Sequence, residues 1–288
     1  MPELAFDPLG RRHVLLAPER AKRGAPAFEA FKPDPVPCDF CGGMEHNTPP
    51  ETFSIRDEGT TPDTPGWNVR VVPNLYPATP FHEVVVHTPD HFTHFEAQDL
   101  PHRVDVISAY RMRLRAAPTR SVIAVWNRGR AAGASRTHGH GQLFGIDELP
   151  TVEREVAAFA DDDCVLCKLV RDDLVVAVHG GFRIAAHPVP FVAGELLIVP
   201  PHSRLLDESQ FEDAAETLAI AVRRTVIDLG EGVPFNLVIH VAPRGVDRFH
   251  WHAHLMPRTA IWGGLEMGAE LPIVAADPQE TARRLRSS

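Results

Sequence analysis

The run Asn127-Arg128-Gly129-Arg130-Ala131-Ala132-Gly133-Ala134-Ser135-Arg136-Thr137-His138-Gly139-His140-Gly141-Gln142 concentrates groups that can handle a phosphate. Its glycines let backbone approach a ligand closely, Asn127, Ser135 and Gln142 offer hydrogen bonds, and the arginines supply positive charge. Neither a GxxxxGK[ST] loop nor a GxGxxG fingerprint occurs in the chain, which argues against a different phosphate-binding loop. In an extended segment side chains alternate, which puts His138, His140 and Gln142 on one face. With His138 given to a metal, His140 is free to present a neutral imidazole to phosphorus, its other nitrogen held by a backbone carbonyl. His140 is then the covalent nucleophile, and Ser135 a donor to the leaving diphosphate oxygen. Gln142 can donate to a phosphoryl oxygen but cannot release a proton as an acid, which favours transfer over hydrolysis. The plainer alternative is a glycine-rich metal loop without covalent chemistry.

The four cysteines fall in two C-x-x-C pairs, Cys38/Cys41 and Cys164/Cys167, a poor basis for a disulfide scaffold in a chain of 288 residues. Two thiolates on one turn plus two imidazoles make the Cys2His2 set of tetrahedral zinc, and Cys38, Cys41, His91 and His138 supply it in the first half. Four protein ligands leave no open position, so that ion is expected to be structural, tying a long proline-rich connection to the histidine cluster. Cys164, Cys167, His202 and His250 repeat the pattern in the second half. There a rival set, Glu155, His240, His252 and His254, could instead hold a second, harder metal.

Strands are expected at 13–17, 67–73, 82–87 and 121–126, and again at 182–186, 195–199 and 235–241, from their valine-rich and β-branched runs. Helical periodicity marks 96–117 and 207–229, while 31–66 reads mostly as connection and 271–276 as an apolar tail packed back on the body. Each half therefore has a Cys pair, a histidine after a strand, a helix, another strand and a histidine cluster. That order predicts an α+β fold of two duplicated units, 1–155 and 156–288, each an antiparallel sheet with a packed helix. A hydrophobic content of 44% supports a substantial core. The net charge of −9 argues against a nucleic-acid or anionic-membrane surface. No run approaches the ~20 apolar residues of a membrane span and residues 1–11 lack a secretory pattern, so a cytoplasmic location is expected.

The chain resembles the galactose-1-phosphate uridylyltransferase family, within the histidine-triad superfamily. The resemblance is carried by CDFCGGMEHNTPPE at 38–51, VRVVPNLYP at 69–77, HEVVVHTPDH at 82–91, the Asn127 to Gln142 run, FHWHAHLMPR at 249–258 and GGLEMG at 263–268. Gly139 stands where the commonest family form has proline. The resemblance implies duplicated histidine-triad-like domains and a ping-pong exchange through a uridylyl-His140 intermediate, UDP-glucose:hexose-1-phosphate uridylyl transfer, with a nucleoside-diphosphate sugar and a sugar 1-phosphate as substrates. It also implies phosphate contacts from Arg20 and Arg23, a substrate pocket including Asn127, Gly133, Ala134, Ser135 and Gln142, and a sugar-binding carboxylate, Glu266, reaching the site of a partner in a homodimer. Zinc is implied at the first Cys pair, and a second zinc or iron at one of the two sets in the second half; Trp251, between two of those histidines, is expected to pack. The enzymatic alternative is an ADP-sugar or dinucleoside-polyphosphate phosphorylase working through adenylyl-His140; the non-enzymatic one is a zinc scaffold.

Overall fold

The computed structural model describes residues 3–16, 34–160, 163–203 and 205–288. In chain order the strands and helices are β1 (Glu3–Asp7), β2 (Arg12–Leu16), β3 (Phe53–Arg56), β4 (Trp67–Pro73), β5 (Phe81–Val86), α1 (Leu100–Ala116), β6 (Ser121–Arg128), β7 (His140–Ile146), α2 (Pro150–Ala158), α3 (Val165–Leu169), β8 (Val175–His179), β9 (Phe182–Ala186), β10 (Leu196–Val199), α4 (Phe211–Leu229), β11 (Phe235–His240), β12 (His252–Pro257), α5 (Gly264–Ala269), β13 (Ile273–Val274) and α6 (Pro278–Arg286). The result is an α+β fold built on one large antiparallel sheet of order β3-β4-β5-β7-β6-β11-β12-β10-β9-β8.

The strands of 1–155 and of 156–288 do not form two separate sheets. β6 and β11 pair in register from Arg128↔Phe235 to Ile123↔His240 and fuse them into one. Read outwards from this pair, the order β6-β7-β5-β4-β3 on one side mirrors β11-β12-β10-β9-β8 on the other. A smaller sheet, β1-β2-β13, includes the expected apolar tail, with Ile273 and Val274 parallel to Leu15 and Leu16.

The period-two alternation of strand side chains divides the core between the two faces. Leu196 and Ile198 of β10 join Val106, Ile107 and Tyr110 of α1 and Leu218 and Val222 of α4 in the larger core, whereas Leu197 and Val199 join Val152, Phe159 and Leu166 in a second one. The same alternation sends Leu143 of β7 into the helix-covered core and leaves His140 and Gln142 on the opposite side of the strand. Asp99 caps α1 by accepting from the His102 N–H at 2.9 Å, so the helix begins later than the expected residue 96. A bidentate pair from Arg113 to Glu83, 2.7 and 2.8 Å, fixes α1 to β5. Among the described residues no helix is long and apolar enough to cross a membrane.

Candidate active site and metal centres

β7 lies between β5 and β6, so its first residue, His140, is positioned by ladders on both sides of the strand that follows. His140 Nδ1 lies 2.8 Å from the backbone oxygen of His138. A carbonyl only accepts, so the proton sits on Nδ1 and the lone pair on Nε2. Burial lowers the pKa of His140, opposed by the His138 carbonyl bond and aided by Arg136, and the ring is neutral at physiological pH. A cavity of about 460 Å³ opens on His140, lined also by Asn127, Arg128, Arg136 and Phe235. The same cavity is lined by Glu96 and Glu231, and its two arginines are ion-paired, Arg128 with Glu96 and Arg136 with Asp39.

The other expected pocket residues are placed unequally. Asn127 lines the cavity and its Oδ1 accepts from Asn236 Nδ2 at 2.7 Å. Gly133 takes φ +86°, a left-handed turn that glycine adopts without strain, Ala134 is buried, and Ser135 is exposed on the same loop. Gln142 is half-buried, its Oε1 accepting from His82 Nε2 at 2.8 Å. Arg20 and Arg23 lie outside the described residues. Glu266 does not line the His140 cavity of its own chain; its Oε2 accepts from the Gly263 N–H at 2.9 Å, capping α5. Trp251 is buried and packs edge-on against Phe182.

Cys38, Cys41, His91 and His138 converge, all buried, with their ligand atoms within 4.8 Å of one another. The Cys41–Cys38 Sγ separation is 3.7 Å, Cys38 Sγ to His138 Nδ1 is 3.4 Å and Cys41 Sγ to His91 Nδ1 is 3.6 Å. Zn–S near 2.3 Å and Zn–N near 2.0 Å require tetrahedral edges of about 3.8 Å between sulfurs and about 3.5 Å between sulfur and nitrogen, so the set fits such an ion. The far nitrogens are already held: His138 Nε2 donates to Thr88 O at 2.7 Å, and His91 Nε2 lies 3.0 Å from Thr137 Oγ1. Burial pushes the Cys38 thiol up to about 11, so a bound cation would have to displace its proton.

The other two expected sets come together as well, the second of them through Glu155, His240 and His254, and they share no residue. His250 Nδ1 sits 3.4 Å from Cys164 Sγ and 3.5 Å from Cys167 Sγ, with His202 alongside and His250 Nε2 donating to Pro200 O at 3.0 Å. Cys167 and His202 are exposed. Deeper in the fold His240 Nδ1 meets the Glu155 carboxylate at 2.8 Å, and His254 completes a group able to hold an ion. His252 Nδ1 donates to His250 O at 2.9 Å, leaving its buried Nε2 with no hydrogen-bond partner, 3.7 Å from Glu155 Oε1. An orphaned buried imidazole lone pair beside a carboxylate fits a cation. Burial pushes the Glu155 carboxyl up, but His240 and His252 overcome it and hold the group well below the usual carboxylate range.

Several residues around these centres carry no role on spacing alone: Thr88, Thr137, Asn74, His82 and Glu195. Asn74 and His82 stand inside quoted motifs, yet their partner Gln142 is distant in sequence. Glu195 accepts from His254 Nδ1 at 2.7 Å, and although burial pushes its carboxyl up, His187 and His254 bring it down to about 2.

No family model matches the chain. An ADP-glucose phosphorylase of Arabidopsis thaliana is 28% identical over 99% of this chain and 92% of its own length. A galactose-1-phosphate uridylyltransferase of Thermotoga maritima is 24% identical over 100% of this chain and 99% of its own. The crystal structure of an ADP-glucose phosphorylase from Arabidopsis thaliana with bound ADP-glucose superposes with a TM-score of 0.87 at 26% identity, covering 100% of this chain and 99% of that one. The chain shares their fold. The likeness extends end to end, so both halves and both Cys pairs fall within it.

Proposed function

We propose that this protein is a nucleotidyltransferase that phosphorolyses an ADP-sugar through an adenylyl-His140 intermediate. The observation that carries the reading is the tautomer of His140, an uncharged, buried imidazole whose Nε2 lone pair is free because Nδ1 is committed to the His138 carbonyl. Nε2 attacks the α-phosphorus of the ADP-sugar, the bond from that phosphorus to the bridging oxygen breaks, and sugar 1-phosphate leaves with the electron pair. An oxygen of inorganic phosphate then attacks the same phosphorus, His140 leaves, and ADP is formed. The leaving phosphate oxygen needs no proton, which matches a site whose side chain at Gln142 donates hydrogen bonds but supplies no acid. Arg128 and Arg136 offset charge at the cavity.

The motifs alone favour uridylyl transfer between hexose phosphates. The end-to-end likeness to an ADP-glucose phosphorylase, in sequence and in fold, supports adenylyl transfer instead. Uridylyl transfer stays as the second reading, supported by the full-length likeness to the Thermotoga maritima enzyme. Cys38, Cys41, His91 and His138 would hold a structural zinc, and when bound it supplies rigidity to the loop that ends in His140. The second half would hold zinc at Cys164, Cys167, His202 and His250, or iron at Glu155, His240, His252 and His254. The matching strand orders support two histidine-triad-like units, with the second lacking the Gln142 amide, since His254 occupies the place after His252 that Gln142 occupies after His140.

Separate incubation with ADP-glucose and UDP-glucose, followed by intact mass measurement, tests the reading. An adenylyl adduct is expected on the wild type and none on His140→Asn. A uridylyl adduct alone would transfer the assignment to the second reading. Turnover of either donor with no adduct in rapidly quenched samples would dismiss both.

A further inference from the structure

We propose that His82 is a positioning residue that sets which end of the Gln142 side-chain amide faces the reacting phosphorus. The inference rests on the reading of Gln142 as a donor to a phosphoryl oxygen. A glutamine amide has nearly the same shape either way round, so packing alone does not choose between presenting its NH2 and presenting its oxygen. The choice here is made by two backbone N–H groups in the turn after β4, whose polarity cannot be reversed.

The Ala78 N–H donates to His82 Nδ1 at 2.9 Å. Nδ1 must therefore carry the lone pair, and the neutral ring has its proton on Nε2. That proton is directed at Gln142 Oε1, 2.8 Å away. In parallel the Tyr76 N–H donates to Asn74 Oδ1 at 2.8 Å, which turns the Asn74 NH2 into the same corner, 3.4 Å from the Gln142 oxygen and 3.2 Å from His82 Nε2. The oxygen end of Gln142 is thus occupied by two donors, and the amide NH2 is left for a ligand oxygen.

The strand geometry keeps this arrangement rigid. Val84 pairs with Gln142 and His82 with Phe144 across β5 and β7, so His82 is the diagonal neighbour of Gln142 on one face of the ladder. The His82 ring lies against the Phe144 ring with centroids 4.2 Å apart, and only 8% of the residue is exposed. Without the His82 N–H, Gln142 can turn its carbonyl oxygen to the phosphoryl oxygens and repel the charge it should stabilise.

The test compares His82→Leu, His82→Gln, Gln142→Ala and the double variant His82→Leu/Gln142→Ala in ADP-glucose phosphorolysis with inorganic phosphate. UDP-glucose replaces ADP-glucose if it alone labels His140. His82→Leu is expected to lower kcat roughly 10- to 100-fold with KM changed less than threefold, the size of a misdirected donor in a preorganised site. His82→Gln, which returns an amide N–H near the position of Nε2, is expected to recover most of that loss. In the Gln142→Ala background, His82→Leu should cost nothing further. Independent, multiplying losses in the double variant would overturn the proposal, as would full activity in His82→Leu or failure of His82→Gln to recover. The double variant and its Gln142→Ala parent are compared at equal folded fraction, so a general loss of stability cannot pass for coupling. If Gln142→Ala itself leaves kcat unchanged, the role of Gln142 falls and the positioning role with it. Loss confined to the His82 variants' coupling leaves the Gln142 reading standing.

Discussion

At the residue scale, the chemistry depends on where single protons sit. The His138 carbonyl holds the His140 proton on Nδ1, which leaves the Nε2 lone pair of a ring that lines the cavity. His140→Asn is expected to abolish covalent labelling and to lower turnover by about 10⁴-fold or more, with ADP-glucose binding retained, as checked by intact mass, steady-state rates and calorimetry. The neighbouring Gly141 is required for a steric reason. A Cβ there would overlap the Tyr110 hydroxyl and the Trp126 ring, which fill the core beneath β7. Gly141→Ala is expected to cost about 1 to 3 kcal/mol of unfolding free energy in denaturant titrations. Part should return in Gly141→Ala/Tyr110→Phe, where the hydroxyl is gone.

At the element scale, β3 is pinned to β4 by a buried charge cluster. Glu51 accepts from Arg70 Nε at 3.0 Å and from Arg56 at 2.7 Å, with Glu51 and Arg70 nearly inaccessible to solvent. Burial pushes the Glu51 carboxyl up, but hydrogen bonds from Ser54, Arg70 and Arg56 overcome it and leave the pKa below its ordinary value. A carboxyl whose pKa is lower folded than unfolded contributes stability that is fully present above the unfolded value, about 4.3, and is lost as pH falls through the folded value. Thermal unfolding midpoints should therefore fall in that acid range, and Glu51→Gln should flatten this dependence while costing about 3 kcal/mol at neutral pH.

The same element shows what the sequence makes legible. β4 and β9 coincide with the expected 67–73 and 182–186 because their alternating apolar residues, Val69 and Val71 in one and Phe182, Ile184 and Ala186 in the other, are buried on the helix side. β3 was hidden in the expected connection, since Phe-Ser-Ile-Arg is short and half-buried throughout. α4 begins at Phe211, after a short turn at Glu208–Gln210 capped by Asp207, four residues later than its periodicity suggests. β12 carries no β-branched residue in His-Ala-His-Leu-Met-Pro, so its sequence gives no strand signal. The Cys and His sets are legible because the chain has only four cysteines, in two C-x-x-C pairs, each followed by histidines in the same order. The Asn74–His82–Gln142 relay was not, because it depends on two backbone N–H groups in a turn.

At the scale of the whole molecule, the two Cys pairs differ in access. The first set is wholly buried, while Cys167 and His202 of the second are exposed. Graded chelation followed by elemental analysis should remove the second-half ion first, and Cys38→Ser should lower metal content and thermal stability together. Around α5, Ile261 and Met267 are 77% and 70% exposed beside Glu266. These apolar side chains beside Glu266 form the surface that the homodimer implied by the family resemblance would cover. Met267→Asp is expected to shift sedimentation towards the monomer and to raise KM for the sugar nucleotide, whereas an unchanged sedimentation coefficient would remove α5 from the interface.

The pairing of β6 with β11 has a further consequence for anyone wishing to dissect the protein. Cleaving between the halves would unzip the seam at the middle of the sheet and bare a raw margin of main-chain donors and acceptors along the eight-residue strand β6. The N-terminal fragment, although it carries His140, is expected to precipitate or to trade strands with its own copies, and mixing the two fragments should restore labelling only when they refold together.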